Sequence, residues 1–398
     1  MAPENQVIIV GAGPVGLMAA LSLHRRGIPF VLLEAETALA EDLRASTFHP
    51  PTLDMLDDFD LAAPLIAMGL KTPTWQIRLH ETHERAEFDL AAIADLTRHP
   101  YRLQCEQSKL CRLAMDRLIG LGADIRMGTR LETVAQDDDG VRITARAATG
   151  EPVTLTGRFL IGADGARSAV REQAGMTLEG KTYPEVTVLA TTPFPFQDHL
   201  PHLSNVNYVW KETGTFSLLR LPAIWRCSLY PDPGETVEQG MERDSIERKL
   251  QVVVPNPAGY EVLEIRAYRI HMRIADDFRA GRVLLAGDAA HLNSPSGGMG
   301  MNGGIHDALE LTATLAQVWN GAPLALLDRY TRRRRPVAEA DILIQADRNR
   351  ARMQERDHGK RRDMLRALQQ TVADPAASRD YLMRSSMIAG LQRAAAIA

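Results

Sequence analysis

The chain has 398 residues, of which 45% are hydrophobic and 24% charged. This ordinary globular composition excludes a disordered or collagen-like protein. Its formal net charge of −4 gives no electrostatic reason to expect a nucleic-acid partner.

The length suggests two or three domains with a large buried core. Cys105, Cys111 and Cys227 form no CxxC pair and suit a reducing cytosol better than a disulfide framework. The apolar stretch from Val7 to Leu23 lacks a basic leader and is broken by Gly11, Gly13, Pro14 and Gly16, so it is not read as a signal peptide. No run is long and apolar enough to span a bilayer. The expectation is a cytoplasmic protein that touches neither membrane nor nucleic acid.

In chain order, Gln6 to Val10 reads as a β-rich strand, and a glycine turn leads into an Ala/Leu-rich helix from about Pro14 to Arg26. Pro14 suits a first helical turn. Arg25 and Arg26 favour the negative helix end, and Gly27 is a natural stop. Phe30 to Glu34 is a second strand, so the chain opens as a βαβ unit. Leu110, Leu113, Met115 and Leu118 recur at roughly helical spacing within 109–120. Alternation predicts strands at 131–135 and 141–145 around the turn residues Asp137 to Gly140. Another strand, Arg158 to Ile161, runs into Gly162-Ala163-Asp164-Gly165. From about Thr182 to Tyr268 apolar and β-branched stretches alternate with turn signals, the texture of an antiparallel sheet. Val283 to Ala286 is again a buried strand. Beyond Gly304 the chain is largely helical, with a basic run, Arg332 to Arg335, ending at Pro336. Such a run is usually a solvated helix face or phosphate-adjacent structure.

Three motifs carry chemistry. In Gly11-Ala12-Gly13-Pro14-Val15-Gly16 the first glycine permits a tight turn, the second lets backbone approach a pyrophosphate, and the third packs helix on strand. The helix N-terminus offers free N–H groups to phosphates, and Glu34, ending the next strand, can accept from ribose hydroxyls. This motif alone does not separate FAD from NAD. The second motif is Gly162 to Ser168. The third is Gly287-Asp288-Ala289-Ala290-His291, followed by Pro295 and the stretch Gly297 to Asn302. An Asp at a strand end can hold a polyol hydroxyl, and glycines beside a helix start let a flat ring lie against backbone.

Together and in this order, from Val7 to about Pro336, the motifs resemble the single-component flavoprotein aromatic hydroxylases, the family of para-hydroxybenzoate and phenol hydroxylase. The resemblance implies an α/β fold: a Rossmann-like FAD-binding domain, an inserted, mostly antiparallel β-sheet substrate domain, and a helical C-terminus. The corresponding division is 1–72, 98–176 and 276–310 for the flavin domain and 73–97 and 177–275 for the substrate domain. Residues 311–398 would then be helices packed on the flavin domain. It implies bound FAD, NADH or NADPH as electron donor, dioxygen as co-substrate, and hydroxylation of an electron-rich aromatic through a flavin hydroperoxide. Gly11, Gly13, Pro14, Gly16 and Glu34 would hold the ADP half of FAD. Arg44 would reach the pyrophosphate, and Gln107 and Asp164 would contact the cofactor. Asp288 would bind the ribityl chain, and the backbone of Gly300, Met301 and Asn302 would face the pyrimidine end of the ring, at the start of a helix after Asn302. Pro295 would line the substrate side, with a rigid loop proline as the competing reading, and His49 is a candidate base, with a structural histidine as its competing reading. His291 reads as structural. Tyr208, Trp210, Arg220 and Trp225, with Arg226 and Tyr230, lie in the sheet over the flavin, where only one face can serve substrate. Arg220 or Arg226 could bind a substrate carboxylate. No metal site is read, and the oligomer is expected to be a monomer or homodimer. Two alternatives stay open: another flavin chemistry on this scaffold, such as halogenation or reduction, and a non-catalytic flavin-binding module.

Overall fold

A computed structural model describes residues 4–41, 43–212 and 214–398. The first strand, β1 (Val7–Val10), is apolar at every position and buried on both faces, as a central strand of a parallel sheet must be. After the glycine turn, α1 (Pro14–Arg25) starts with proline in its first turn. The next strand, β2 (Phe30–Leu33), returns parallel to β1, Val7 opposite Phe30 and Val10 opposite Leu33.

Six strands complete this sheet, in the order 279–280, 283–285, 159–162, β1, β2, 124–126. One face is covered by α1 packed on the long helix Gly300–Trp319 and on the helix Gln107–Gly120. The hairpin expected at 131–145 forms as Thr129–Gln136 and Val141–Ala147, and a third strand, Pro152–Gly157, joins it.

The second large sheet has eight strands. It is antiparallel save for one parallel pair, Val206–Lys211 beside Thr74–Leu79. Its members come from 74–89, 178–275 and 291–292, so the chain leaves the first sheet three times to build it.

The C-terminal region departs from the sequence reading in two ways. Pro336 lies inside the helix Asp328–Val337, and the helix runs on through a π segment, Ala338–Leu343, into Ile344–Gln354. A proline cannot supply its i→i−4 hydrogen bond and pushes against the preceding turn, and a wider turn just beyond it relieves both. The helical segment also does not pack on the six-stranded sheet's side alone. Helix 328–337 does so, against Gly300–Trp319. Helices His358–Ala373 and Pro375–Ser385 instead cover the eight-stranded sheet, where Leu365, Leu368 and Leu382 share a core with Trp75, Phe88 and Trp210. Among the described residues no helix is long and apolar enough to cross a membrane.

Candidate active site

The two sheets face each other across one cleft of about 770 Å³. It begins at the turn after β1. Gly11 has φ +105°, and a Cβ there would sit 2.3 Å from the Ala163 carbonyl oxygen; a Cβ on Gly16 would sit 1.8 Å from the Gly11 oxygen. Both positions are therefore closed by packing. Gly13 is different: a Cβ would meet nothing within 4 Å, and the residue lines the cleft. The first turn of α1 thus offers bare backbone N–H groups to open space, the cradle a pyrophosphate requires. Beside it the Glu34 carboxylate accepts from Ala12 N–H at 2.7 Å and from Glu36 N–H at 2.9 Å. Arg44 and Gln107 line the same stretch.

Further along, Asp288 opens onto the cleft, yet protein surrounds it closely enough that desolvation raises its carboxyl pKa. Asp164 also lines the cleft, with its carboxylate turned inward. It accepts from Ser168 Oγ at 2.5 Å and Val170 N–H at 3.0 Å and so caps the helix Ala169–Gln173. Burial raises its pKa more than those bonds lower it.

The Gly-Asp turn rests on a buried charge network that the sequence reading missed. Asp307 accepts from His291 Nε2 at 2.7 Å, Arg334 Nε at 2.6 Å and Gly287 N–H at 3.2 Å. All three side chains are at most 2% exposed. Burial would raise the Asp307 pKa, but Arg334 and His291 overcome it and hold the carboxyl well below the ordinary range. Arg334 belongs to the basic run read as a solvated face. The signal that could have corrected that reading is its helical spacing from the buried Tyr330 and Val337, which puts one arginine of the run on the inner face.

The far end of the cleft is formed by Pro295 to Met301. The helix begins at Gly300, three residues earlier than expected, with no side-chain cap at Met299. Gly300 and Met301 line the cleft. Asn302 does not; its side chain is fully buried, accepting from His49 N–H at 2.9 Å and donating to Thr47 O at 2.8 Å and Gly298 O at 2.7 Å. It clamps the glycine loop to the segment 47–49. His49 is likewise outside the cleft lining, its Nε2 bonded to Gly297 O at 2.9 Å. Burial lowers its pKa to about 3, so the ring is neutral and anchors the loop.

The facing sheet settles which side chains point inward. Tyr208, Ser217, Leu219, Arg226, Ser228 and Tyr230 line the cleft. Trp210 shares the Tyr208 face by strand alternation, but the C-terminal helices cover it and its indole N–H donates to Arg352 O at 3.0 Å. Trp225 has the opposite parity from Arg226; it lies in the outer core against Phe196 and donates to Gln197. Arg220 lies outside the cleft lining, beside the Trp225 ring. Arg226 faces inward, and its guanidinium binds Ser46 Oγ and Arg44 O, fastening the Arg44 segment to the sheet.

Two buried neutral histidines make the fold acid-sensitive. His49 and His306 both have pKa values lowered to about 3 from 6.5, chiefly by burial. Above pH 6.5 both states leave them uncharged. Below it the unfolded chain takes up protons that the folded chain refuses, so stability falls with pH by about 1.4 kcal/mol per pH unit for each histidine. Urea unfolding as a function of pH checks this. A flat profile from neutrality down would show that neither ring is held neutral.

Comparison with known proteins gives the family. The sequence profile of a family described as "FAD binding domain" matches residues 4–343. The para-nitrophenol 4-monooxygenase of Pseudomonas sp. (strain WBC-3) is 34% identical over 383 residues, 95% of this chain and 94% of that protein. The 6-hydroxy-3-succinoylpyridine 3-monooxygenase of Pseudomonas putida (strain DSM 28022 / S16) is 34% identical over 84% of this chain and 85% of that protein. The crystal structure of p-nitrophenol 4-monooxygenase from Pseudomonas putida DLL-E4 superposes with a TM-score of 0.90 at 31% identity, covering 98% of this chain and 99% of that one.

Proposed function

This chain belongs to the family of single-component FAD-dependent aromatic hydroxylases, and on that premise we propose that it oxygenates a small phenol or hydroxypyridine at the ring carbon para to the hydroxyl, where a substituent already stands. It is an FAD-dependent monooxygenase that uses NAD(P)H and dioxygen on an aromatic ring. The finer reading is supported by the two relatives' names, in which the carbon numbered for oxygenation already carries the nitro or succinoyl group. For a para-nitrophenol, a carbon–oxygen bond forms at that carbon, and the nitro group leaves with the bonding pair as nitrite. The ring is left as the quinone. One NAD(P)H and one dioxygen are consumed, and one water is formed.

The cleft fits the cofactor: Gly13 leaves room for a pyrophosphate, Asp288 presents a carboxylate, and a bare helix start lies at Gly300. When bound, FAD supplies hydride acceptance and oxygen activation. We assign Gly11, Gly13, Pro14, Gly16 and Glu34 to its ADP half, with Arg44, Gln107 and Asp164 beside them. Asp288 is assigned to the ribityl chain and the Gly300 and Met301 backbone to the ring. The N–H groups of that helix start favour negative charge on the ring's near edge. Pro295 and the sheet residues Tyr208 and Tyr230 close the substrate side and exclude water. We keep the division into a flavin domain (1–72, 98–176, 276–310) and a substrate domain (73–97, 177–275). We take the protein to be cytoplasmic, monomeric or homodimeric, and without a nucleic-acid partner.

The test is NAD(P)H oxidation with 4-nitrophenol, followed together with nitrite release. Stimulated oxidation with nitrite as product is expected. Formation of a nitrocatechol without nitrite would move oxygen to an unsubstituted carbon and overturn the para assignment.

A further inference from the structure

A second cavity, of about 630 Å³, shares no lining residue with the cleft. That volume is within the roughly 300–1,000 Å³ of ordinary small-molecule sites. It lies beside the C-terminal end of α1, among the helix Pro50–Asp57, the middle of Gly300–Trp319 and the helix Ile388–Ala395. Met55, Phe59, Leu309 and Leu391 give it apolar walls. Four arginines line it as well: Arg25, Arg26, Arg333 and Arg334.

The four differ in what they already hold. Arg25 donates to Asp58 O, and Arg333 pairs with Glu310 at 3.0 Å. Arg26 has no ion pair or side-chain hydrogen bond among the described residues, and burial and the adjacent Arg25 charge lower its pKa. Arg334 is 1% exposed. Its Nε donates to Asp307 and its Nη2 to Gly303 O at 3.4 Å, so one edge of the guanidinium is fixed to the protein. Nη1, on the other edge, has no protein partner among the described residues. Against the four arginines stand two lining carboxylates, Asp58 and Glu310, and Asp307 behind Arg334. One positive charge is left over. A monoanion completes both the free guanidinium arm and the surplus charge, and a carboxylate's fork matches guanidinium geometry. The apolar walls favour a ligand whose body is apolar too.

We propose that this cavity is a second ligand site, taking a carboxylate with an apolar body, and that its occupant tightens flavin binding through Arg334. The carboxylate accepts from Arg334 Nη1 with Arg26 at the mouth, and the body lies against Phe59 and Leu391. A ligand on the free edge fixes the guanidinium in the orientation in which its other edge holds Asp307. Asp307 in turn holds His291 and the Gly287 N–H. This coupling rests on the placement of FAD at the Asp288 turn proposed above. It is reciprocal, so bound FAD tightens the carboxylate by the same factor.

The experiment is a calorimetric titration of benzoate onto FAD-loaded enzyme, without NAD(P)H and with 4-nitrophenol in excess to fill the cleft. Saturable binding of benzoate is expected. Acetate, which lacks the apolar body, and benzyl alcohol, which lacks the charge, should each bind at least about tenfold more weakly, as should benzoate to Arg26→Ala and to Leu391→Asp. Both variants should keep the wild-type FAD content, melting temperature and NAD(P)H oxidation. A separate FAD titration of the apoprotein should show affinity raised about fivefold or more by benzoate, the low end of ordinary coupling, and not in Leu391→Asp. No benzoate binding in the presence of 4-nitrophenol, or equal binding by both variants, overturns the site. Binding with FAD affinity unchanged overturns the coupling to the flavin turn. Failure of 4-nitrophenol to stimulate NAD(P)H oxidation overturns the substrate reading alone, since the two variants still report on this cavity.

Discussion

Asp307→Ala is expected to destabilise the protein by about 3–5 kcal/mol, the usual cost of removing one partner from a buried ion pair. The carboxylate is the shared acceptor for His291, Arg334 and the Gly287 N–H. With Asp307 itself, these groups belong to three separate segments: the turn that presents Asp288, the helix that starts at Gly300, and helix 328–337. Losing the carboxylate leaves the Arg334 charge buried and unpaired, and frees the Gly287 turn to move. Flavin affinity should therefore fall together with stability, although Asp307 does not line the cleft. The double variant Asp307→Ala/Arg334→Met should recover part of the stability, because it removes the orphaned charge and refills the space with apolar surface. It should recover less of the flavin affinity, since the Gly287 N–H remains without an acceptor. Urea unfolding and FAD titration of both variants measure the two effects separately. A loss below about 1 kcal/mol for Asp307→Ala would mean that the network is not what holds the turn, since that is the typical worth of a single neutral hydrogen bond.

That network also marks where the sequence stops being legible. The βαβ opening, the three motifs and the positions of Glu34 and Asp288 are local: turn geometry, strand alternation and helix capping act within a few residues, and pattern reading recovers them. The features that hold the site together are long-range. Asn302 reaches Thr47 and His49 some 250 positions away, and Arg334 meets Asp307 across two helices. Nothing in the local pattern distinguishes Arg334 from its solvated neighbours except the inner-face spacing. The sheet facing the cleft gives the same lesson. Alternation correctly limits the choice to one face, but which face depends on what covers the other. Trp225 and Arg226 are adjacent and point to opposite sides. Trp210 and Tyr208 share a side and differ only because Leu365, Leu368 and Leu382 arrive from the C-terminal helices to bury one of them.

The glycine motif, by contrast, was legible residue by residue, and the structure divides its three glycines by what each excludes. Gly16→Ala is expected to cost more than about 3 kcal/mol, beyond the usual range for overpacking. A Cβ there would lie 1.8 Å from the Gly11 oxygen, a backbone atom that cannot rotate away. The turn must open, α1 must lift from β1, and the proposed flavin cradle goes with it; little FAD should remain bound. Gly13→Ser separates the two roles. The residue is the N-cap of α1 with φ −71°, so serine fits the backbone without strain and is at least as good a cap. A Cβ there meets no protein atom within 4 Å, and the side chain enters the space proposed for the pyrophosphate. Stability should be unchanged or slightly raised, while FAD affinity falls by about tenfold or more, the ~1.4 kcal/mol of one crowded phosphate contact. Melting temperature of the apoprotein and FAD titration distinguish the outcomes. Full FAD affinity in Gly13→Ser would mean that the phosphates do not pass over residue 13, and the N-terminal helix would then serve the fold alone.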